Sequence, residues 1–377
     1  MTPMPYRIDV PDSTLDDLRQ RLARTRWPEA LPWEPWSNGA DLAYVRELCE
    51  YWRTAYDWRA QEAALNAYPQ FMSTVDGVDI HYWHARGAGP SPMPLVLVHG
   101  WPGSIVEFHH LIAPLTDPAA HGGDPADAFD VVIPALPGFG FSGKPKEPGW
   151  GPWRAGEAFH HLMTVELGYA RFGTQGGDWG SAVTSSMAAE HPDAVIGAHL
   201  NMIWGAPTPE QAQSPEAKPF LDHAAAIQRD EMGYFQTQST KPMSLAIAQA
   251  DSPAGVAAWI VEKFRTWSDC NGDVESVYTK DQLLTNIMFY WAPNSIASAA
   301  NMYFESRREG KGVANIKNVP VGVAMFPKEL ARAPRAWVEN RMQIAHWTDM
   351  PRGGHFAAME QPDLLLEDVR AFFRPLR

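Results

Sequence analysis

Asp178 stands in the stretch QGGDWGSAV (175–183), with glycines at 176, 177 and 180. A glycine two residues to either side of a reactive side chain is the spacing of a nucleophile elbow, with aspartate where serine is usual. Small flanking residues let the chain turn sharply from a strand into a helix. The side chain is thereby lifted at a helix N-terminus, where the macrodipole favours an anion. Serine needs a base to remove its proton, whereas a carboxylate with a reference pKa near 4 is already ionised at neutral pH. Such a group attacks carbon directly and becomes an ester, which water must then cleave. The structural alternative is an aspartate that only caps the helix.

Cleaving an ester on the enzyme calls for oxyanion donors, a base and an acid that orients the base. HGWPGS (99–104) follows an apolar run, and there the Trp101 amide could supply one oxyanion donor. The Trp179 amide, next after the nucleophile, would supply the other. His355 lies in RGGHFAAME (352–360), after the last apolar run and before the closing helix pattern. Nucleophile, acid, histidine is the chain order that goes with this elbow. Glu329 in FPKEL (326–330) follows a strand pattern, at the kind of carboxyl end where the orienting acid is expected. Asp349 and Glu360 are its rivals.

These groups need a scaffold that gathers strand ends. From residue 94 the chain alternates buried apolar runs, Gly- and Pro-containing loops and helical patterns: PLVLVHGWPGS, FDVVIPALPGFGFSG, YARFGTQGGDWGSAV and AVIGAHLNMIW. That alternation predicts an α/β fold with a doubly wound, mostly parallel sheet, whose ligands collect beyond the carboxyl ends of the strands. Residues 206–314 turn mostly helical and read as an inserted lid, and the sheet resumes with VPVGVAMFP and QIAHWTDM before a last helix, QPDLLLEDVRAFFRPL. The expected division is therefore an N-terminal extension over 1–85, sheet domain over 86–205 and 315–377, and lid over 206–314. Within the extension, Ser13 with Asp16 reads as a helix-opening capping box, followed by Leu15, Leu18 and Leu22 on one face. Residues 28–40 read as an extended wrapping segment, 41–56 as a second helix and Asp76-Gly77 as a hairpin turn.

A net charge of −13 without a basic run excludes a phosphate-binding surface, and hence nucleic acid as a partner. The N-terminal residues have neither the charge nor the apolar core of a signal peptide. No run approaches the roughly eighteen apolar residues of a membrane span. A cytoplasmic enzyme without a membrane anchor is expected. Cys49 and Cys270 are too few for a disulfide framework. No HExxH, CxxC or dinucleotide fingerprint occurs, so no metal and no organic cofactor is expected.

Taken together, RIDVPDSTLDDLRQRLARTRWP, HGWPGS, GGDWGS and RGGHFAAME resemble the α/β-hydrolase-fold epoxide hydrolases of the microsomal and juvenile-hormone type, over nearly the whole chain. The resemblance implies an enzyme that converts an epoxide to a vicinal diol through an ester on Asp178, hydrolysed by water activated by His355 and Glu329. It further implies two lid tyrosines as acids to the epoxide oxygen. By motif these are Tyr234 in MGYFQTQSTKP and Tyr303 in NMYFESR, with Tyr290 as a substitute for either. A lid rich in Met, Phe and Trp suggests a bulky apolar or aryl epoxide as substrate. The N-terminal section is free to brace the lid or to form a homodimer contact. A haloalkane dehalogenase with the same nucleophile, and a non-catalytic ligand-binding protein on this fold, are the alternatives. The first would need Trp or Asn N–H donors for halide in place of acids.

Overall fold

The computed structural model describes residues 3–377. Its strands are β1 (Met4–Tyr6), β2 (Gln70–Val75), β3 (Val78–Ala85), β4 (Met93–Val98), β5 (Phe129–Pro134), β6 (Phe172–Gly176), β7 (Val195–Leu200), β8 (Ile316–Met325) and β9 (Met342–Asp349). They join in one sheet in the order β1-β2-β3-β5-β4-β6-β7-β8-β9. From β5 to β9 every neighbouring pair is parallel, and β1, β2 and β3 add an antiparallel edge. The apolar runs are continuous because these central strands are covered on both faces: Leu95, Val96, Leu97 and Val98 have no exposed surface. After β4 the chain first adds β5 on one side and then β6 on the other. The loops after β4 and β6 therefore flank a topological switch point, where the sheet opens a crevice.

The N-terminal section supplies the strands of that edge. Its helices are α1 (Asp12–Ala23), α2 (Leu42–Thr54) and α3 (Trp58–Leu65). Leu15, Leu18 and Leu22 are the buried face of α1, as their spacing requires. The capping box expected at Ser13 does not form. The helix begins two residues earlier, with Pro11 in place of Ser13 at the cap position, and no side chain caps it. Asp41 does cap α2, accepting from the Tyr44 amide. The periodicity reading passes over α3 because Glu62 sits on its buried face beside Trp58 and Leu65. That carboxylate is satisfied locally, by the Val10 amide (2.8 Å) and the Trp58 indole (3.0 Å), and it pairs with Arg59. Asp76 and Gly77, both at positive φ, make the turn between β2 and β3.

The crossovers are carried by α4 (His109–Thr116), α5 (Pro152–His161) and α6 (Trp179–Glu190). Between β7 and β8 the chain makes a helical excursion through α7 (Lys218–Asp230), α8 (Gly233–Thr240), α9 (Pro242–Asp251), α10 (Pro253–Trp267), α11 (Lys280–Trp291) and α12 (Ile296–Glu309). Short α13 (Arg335–Val338) precedes β9, and α14 (Ala357–Glu360) and α15 (Pro362–Phe373) close the chain. The closing helix is pinned by buried Asp368, which accepts from His199 on β7 (2.8 Å) and from His346 (2.8 Å) and Thr348 on β9. Burial works to raise this carboxyl, but the hydrogen bonds from His199, Thr348 and His346 outweigh it and hold the pKa near about 2. Cys49 and Cys270 are both buried free thiols.

Candidate active site

Asp178 occupies the turn between β6 and α6 with φ 50° and ψ −128°, a conformation a non-glycine residue adopts only under constraint. Gly100 and Gly180 leave the space that the turn uses. A Cβ at the first would lie 2.2 Å from Asp178 Oδ1, and at the second 1.9 Å from the carbonyl oxygen of Val98. The Trp101 amide donates to Asp178 Oδ1 at 2.8 Å. Among the described residues the Trp179 amide makes no such bond to the resting carboxylate. The loop carrying Trp101 is held from the helical excursion. Asn286 on α11 donates to the Pro102 carbonyl (2.7 Å) and accepts from the Ser104 hydroxyl (2.8 Å). Tyr290 donates to the Gly103 carbonyl (2.6 Å). Its hydroxyl is thus engaged with this loop, and Tyr290 is not among the residues lining the larger cavity beside Tyr234 and Tyr303.

His355 and Glu329 come from the loops after β9 and β8. His355 Nε2 is 3.4 Å from Asp178 Oδ2, and Nδ1 is 2.7 Å from Glu329 Oε1, which also accepts from the Leu330 amide at 2.6 Å. Glu329 has no exposed surface and His355 only 5%. Burial pulls the His355 pKa down, but the Glu329 charge and the hydrogen bonds and charge of Asp178 more than offset it. The imidazole is held well above its ordinary 6.5. This favours the protonated form of His355 in the resting protein, where the ring lies between Glu329 and Asp178. Of the rival acids, Asp349 takes the Trp347 indole at 3.2 Å in an exposed setting, and Glu360 binds backbone amides near His355.

Tyr234, at the start of α8, and Tyr303, on α12, are buried to 6% and 1% exposure. Both rings contact Trp101: Tyr234 is stacked on it at 4.9 Å and Tyr303 meets it edge-on at 5.8 Å. Tyr303 also meets Trp179 edge-on at 4.7 Å. The Tyr303 hydroxyl lies near that of Tyr234 but makes no hydrogen bond of good geometry. Burial first, and then the Asp178 charge for Tyr234 and the Tyr234 and Asp178 groups for Tyr303, push both phenols well above 10. They are therefore protonated donors at neutral pH. With Asp178 they line a cavity of about 420 Å³ whose wall includes Met202, Ile203, Met232, Phe235, Val313 and Met342. Its size and apolar wall suit a small organic ligand.

A second, far smaller cavity of about 10 Å³ lies on the other side of the carboxylate, among Gly100, Trp101, Glu107, Asp178, Asn201 and His355. That is room for about one water molecule, in polar surroundings that would bind it. Glu107 escapes a reading of the sequence. It stands three residues after Ser104, which is the spacing of a capping box, and Ser104 does cap the short turn Ile105–Phe108. The only hint is its place just beyond HGWPGS. Although Glu107 is only partly buried as a residue, burial of its carboxyl raises the pKa to about 8. His355 opposes that rise and Asp178 adds to it.

Comparison with known proteins finds relatives over nearly the whole chain. Residues 3–108 match the family described as the epoxide hydrolase N terminus, and residues 93–226 match the α/β hydrolase fold. A protein of Stigmatella aurantiaca (strain DW4/3-1) is 46% identical over 99% of this chain and 85% of its own. Epoxide hydrolase 1 of Oryctolagus cuniculus is 36% identical, over 98% of this chain and 88% of its own. The crystal structure of juvenile hormone epoxide hydrolase from Bombyx mori superposes with a TM-score of 0.89 at 29% identity, covering 100% of this chain and 95% of that one. No helix among the described residues is long and apolar enough to cross a membrane. With this fold, and with a relative this similar across nearly its full length, the chain belongs to the α/β-hydrolase-fold epoxide hydrolases.

Proposed function

We propose that this protein hydrolyses an apolar or aryl epoxide to its vicinal diol through an alkyl ester on Asp178, with no cofactor. One observation carries the reading: among the described residues, Asp178 alone lines both the larger cavity, with the two phenols, and the water-sized one, with His355. Ring opening and ester hydrolysis need opposite chemistry, an acid for the first and a base for the second. The carboxylate stands between the two. Residues 206–314 act as the lid that brings in the tyrosines, and residues 1–85 brace it.

Oδ1 is engaged by the Trp101 amide, so Oδ2 is the attacking oxygen. As Oδ2 bonds to an epoxide carbon, the ring C–O bond breaks and the oxygen takes a proton from Tyr234 or Tyr303. Such positioned acids contribute about 10²–10⁴ in rate. Esterification removes the Asp178 charge and with it part of what holds His355 protonated. The imidazolium then releases its proton to solvent, and the neutral imidazole, oriented by Glu329 on Nδ1, accepts a proton from water in the small cavity. Water attacks the ester carbonyl, and negative charge gathers on Oδ1 against the Trp101 amide, with the Trp179 amide as second donor. A donor of this kind is worth about 3 kcal/mol. Collapse expels the diol, whose leaving oxygen takes the proton held by His355; the carboxyl proton left on Asp178 restores the phenol, and His355 takes up a proton from solvent as the Asp178 charge returns.

Tyr303→Phe is expected to slow ester formation about 100-fold and to leave ester hydrolysis nearly unchanged, as followed by rapid-quench kinetics. Equal slowing of both steps would contradict its role as a ring-opening acid. The overall reading is tested by a single turnover in ¹⁸O-water. The first diol should carry an unlabelled oxygen from Asp178, and the label should appear in the peptide containing Asp178. Label in the first diol would mean direct attack by water.

A further inference from the structure

The loop that carries His355 is bound on one side by the acid loop, where the Lys328 amide donates to the Gly353 carbonyl at 3.1 Å. On its other side it meets residues 267–269, where the lid leaves α10. There the His355 amide donates to the Trp267 carbonyl at 2.9 Å, and the Gly353 amide donates to Asp269 Oδ2 at 3.0 Å. Glu360, at the end of α14, closes this contact with both oxygens. Oε1 accepts from the Phe356 amide at 2.9 Å and Oε2 from the Asp269 amide at 2.8 Å. The approach is so close that a Cβ on Gly354 would lie 2.4 Å from the Trp267 carbonyl oxygen. Phe356 also stacks on Phe264 of α10 at 4.0 Å and 5°. The same Trp267 packs its ring against Tyr234 (5.0 Å) and against His355 (5.1 Å). One short lid segment thus touches both a ring-opening phenol and the hydrolytic histidine.

We propose that Glu360 is a positioning residue: with Asp269 it latches the histidine loop to the lid and so holds His355 in register with Asp178 and Glu329. The carboxylate bridges two amides that face it from different parts of the chain, and a buried amide that loses its acceptor costs free energy. With the latch intact, the lid placement that presents Tyr234 to the substrate also fixes the Nε2 position used for ester hydrolysis. Without it, His355 keeps its partners but loses the backbone frame that aims it. Misplacement by about an ångström is enough to cost ~10²-fold in rate.

The inference rests on His355 acting as the hydrolytic base, and its test keeps the two apart. Glu360→Gln preserves size but turns one acceptor oxygen into an NH₂ group facing an amide donor, and Asp269→Asn does the same at the other end. Each should slow ester hydrolysis by ~10-fold or more and leave ester formation within about threefold. Because kcat/KM reports events through ring opening, kcat and KM should fall together with kcat/KM unchanged, and the ester should accumulate by mass spectrometry. A role in folding alone would lower kcat through the folded fraction and leave KM where it was, which would overturn the proposal. So would an unchanged hydrolysis rate. Asp363→Asn, an exposed change nearby on α15, should have no effect. If Glu360→Gln does not fold, Asp269→Asn, which is only partly buried, decides the matter by the same readouts. If His355→Gln fails to trap the ester, the reading of the base fails; if it traps the ester and neither latch variant changes hydrolysis, only the latch fails.

Discussion

His355→Gln is expected to give an enzyme that opens one ring and stops. Glutamine cannot accept the proton of the attacking water, so ester hydrolysis should fall by ~10⁴-fold, the scale of loss when a member of a nucleophile–base–acid set is disabled. Ester formation asks nothing of a base. Oδ2 is already ionised and the phenols supply the proton, so the first step should stay within about tenfold. Mass spectrometry after brief exposure to substrate should show a stoichiometric adduct on the peptide bearing Asp178. An unmodified peptide with continued diol production would end the reading.

The histidine also sets an expected pH dependence. In the resting protein its pKa is raised, because Glu329 and Asp178 outweigh burial. Ester formation removes the Asp178 charge and must lower it. Hydrolysis in the native enzyme should therefore rise with pH and level off at a lower apparent pKa than an NMR titration of His355 gives in the free enzyme. Equal values would show that the Asp178 charge does not control the base. The sign for stability follows from the same shift. The imidazolium's contribution is full below an unfolded value of about 6.5 and is lost as pH rises through the higher folded value.

Asp178→Ala should abolish turnover, lowering kcat by ~10⁴-fold or more, since among the described residues no other carboxylate lines the larger cavity beside the phenols. The variant offers a second readout that does not depend on activity. With the anion 3.4 Å from Nε2 removed, the His355 pKa should fall even without substrate. A loss of activity with an unmoved histidine titration would mean that the two groups are not coupled as the geometry requires. Retained activity would move the nucleophile elsewhere.

The turn that carries Asp178 was legible in the sequence because an elbow is a local object. Its strand, its small neighbours and its helix lie within about fifteen residues, and steric limits on the turn dictate glycines at fixed offsets. The parallel sheet was legible for a similar reason: strands buried on both faces must be continuous apolar runs, and each was readable alone. His355 could be singled out among thirteen histidines by chain order. Local reasoning failed where a polar side chain sits on a buried face, as Glu62 does in α3, or where the backbone began a helix without the available cap, as at Ser13.

The sequence by itself determined the chemistry on offer: an ionised carboxylate on a turn, a histidine after the last strand, and a helical insertion able to carry phenols over them. Only the tertiary structure decided which groups meet. Glu329, Asp349 and Glu360 all lie near His355 along the chain or at strand ends, and the register of β8 against β9 brings just Glu329 Oε1 to Nδ1. Tyr290 is set apart from Tyr234 and Tyr303 by its hydroxyl, which donates to the Gly103 carbonyl. Glu107 stands at capping-box spacing from Ser104, and yet it lines the water-sized cavity. In each case the deciding distance joins residues that strand order and helix packing bring together, and such distances are fixed by the closure of the whole sheet and lid rather than by any spacing along the chain.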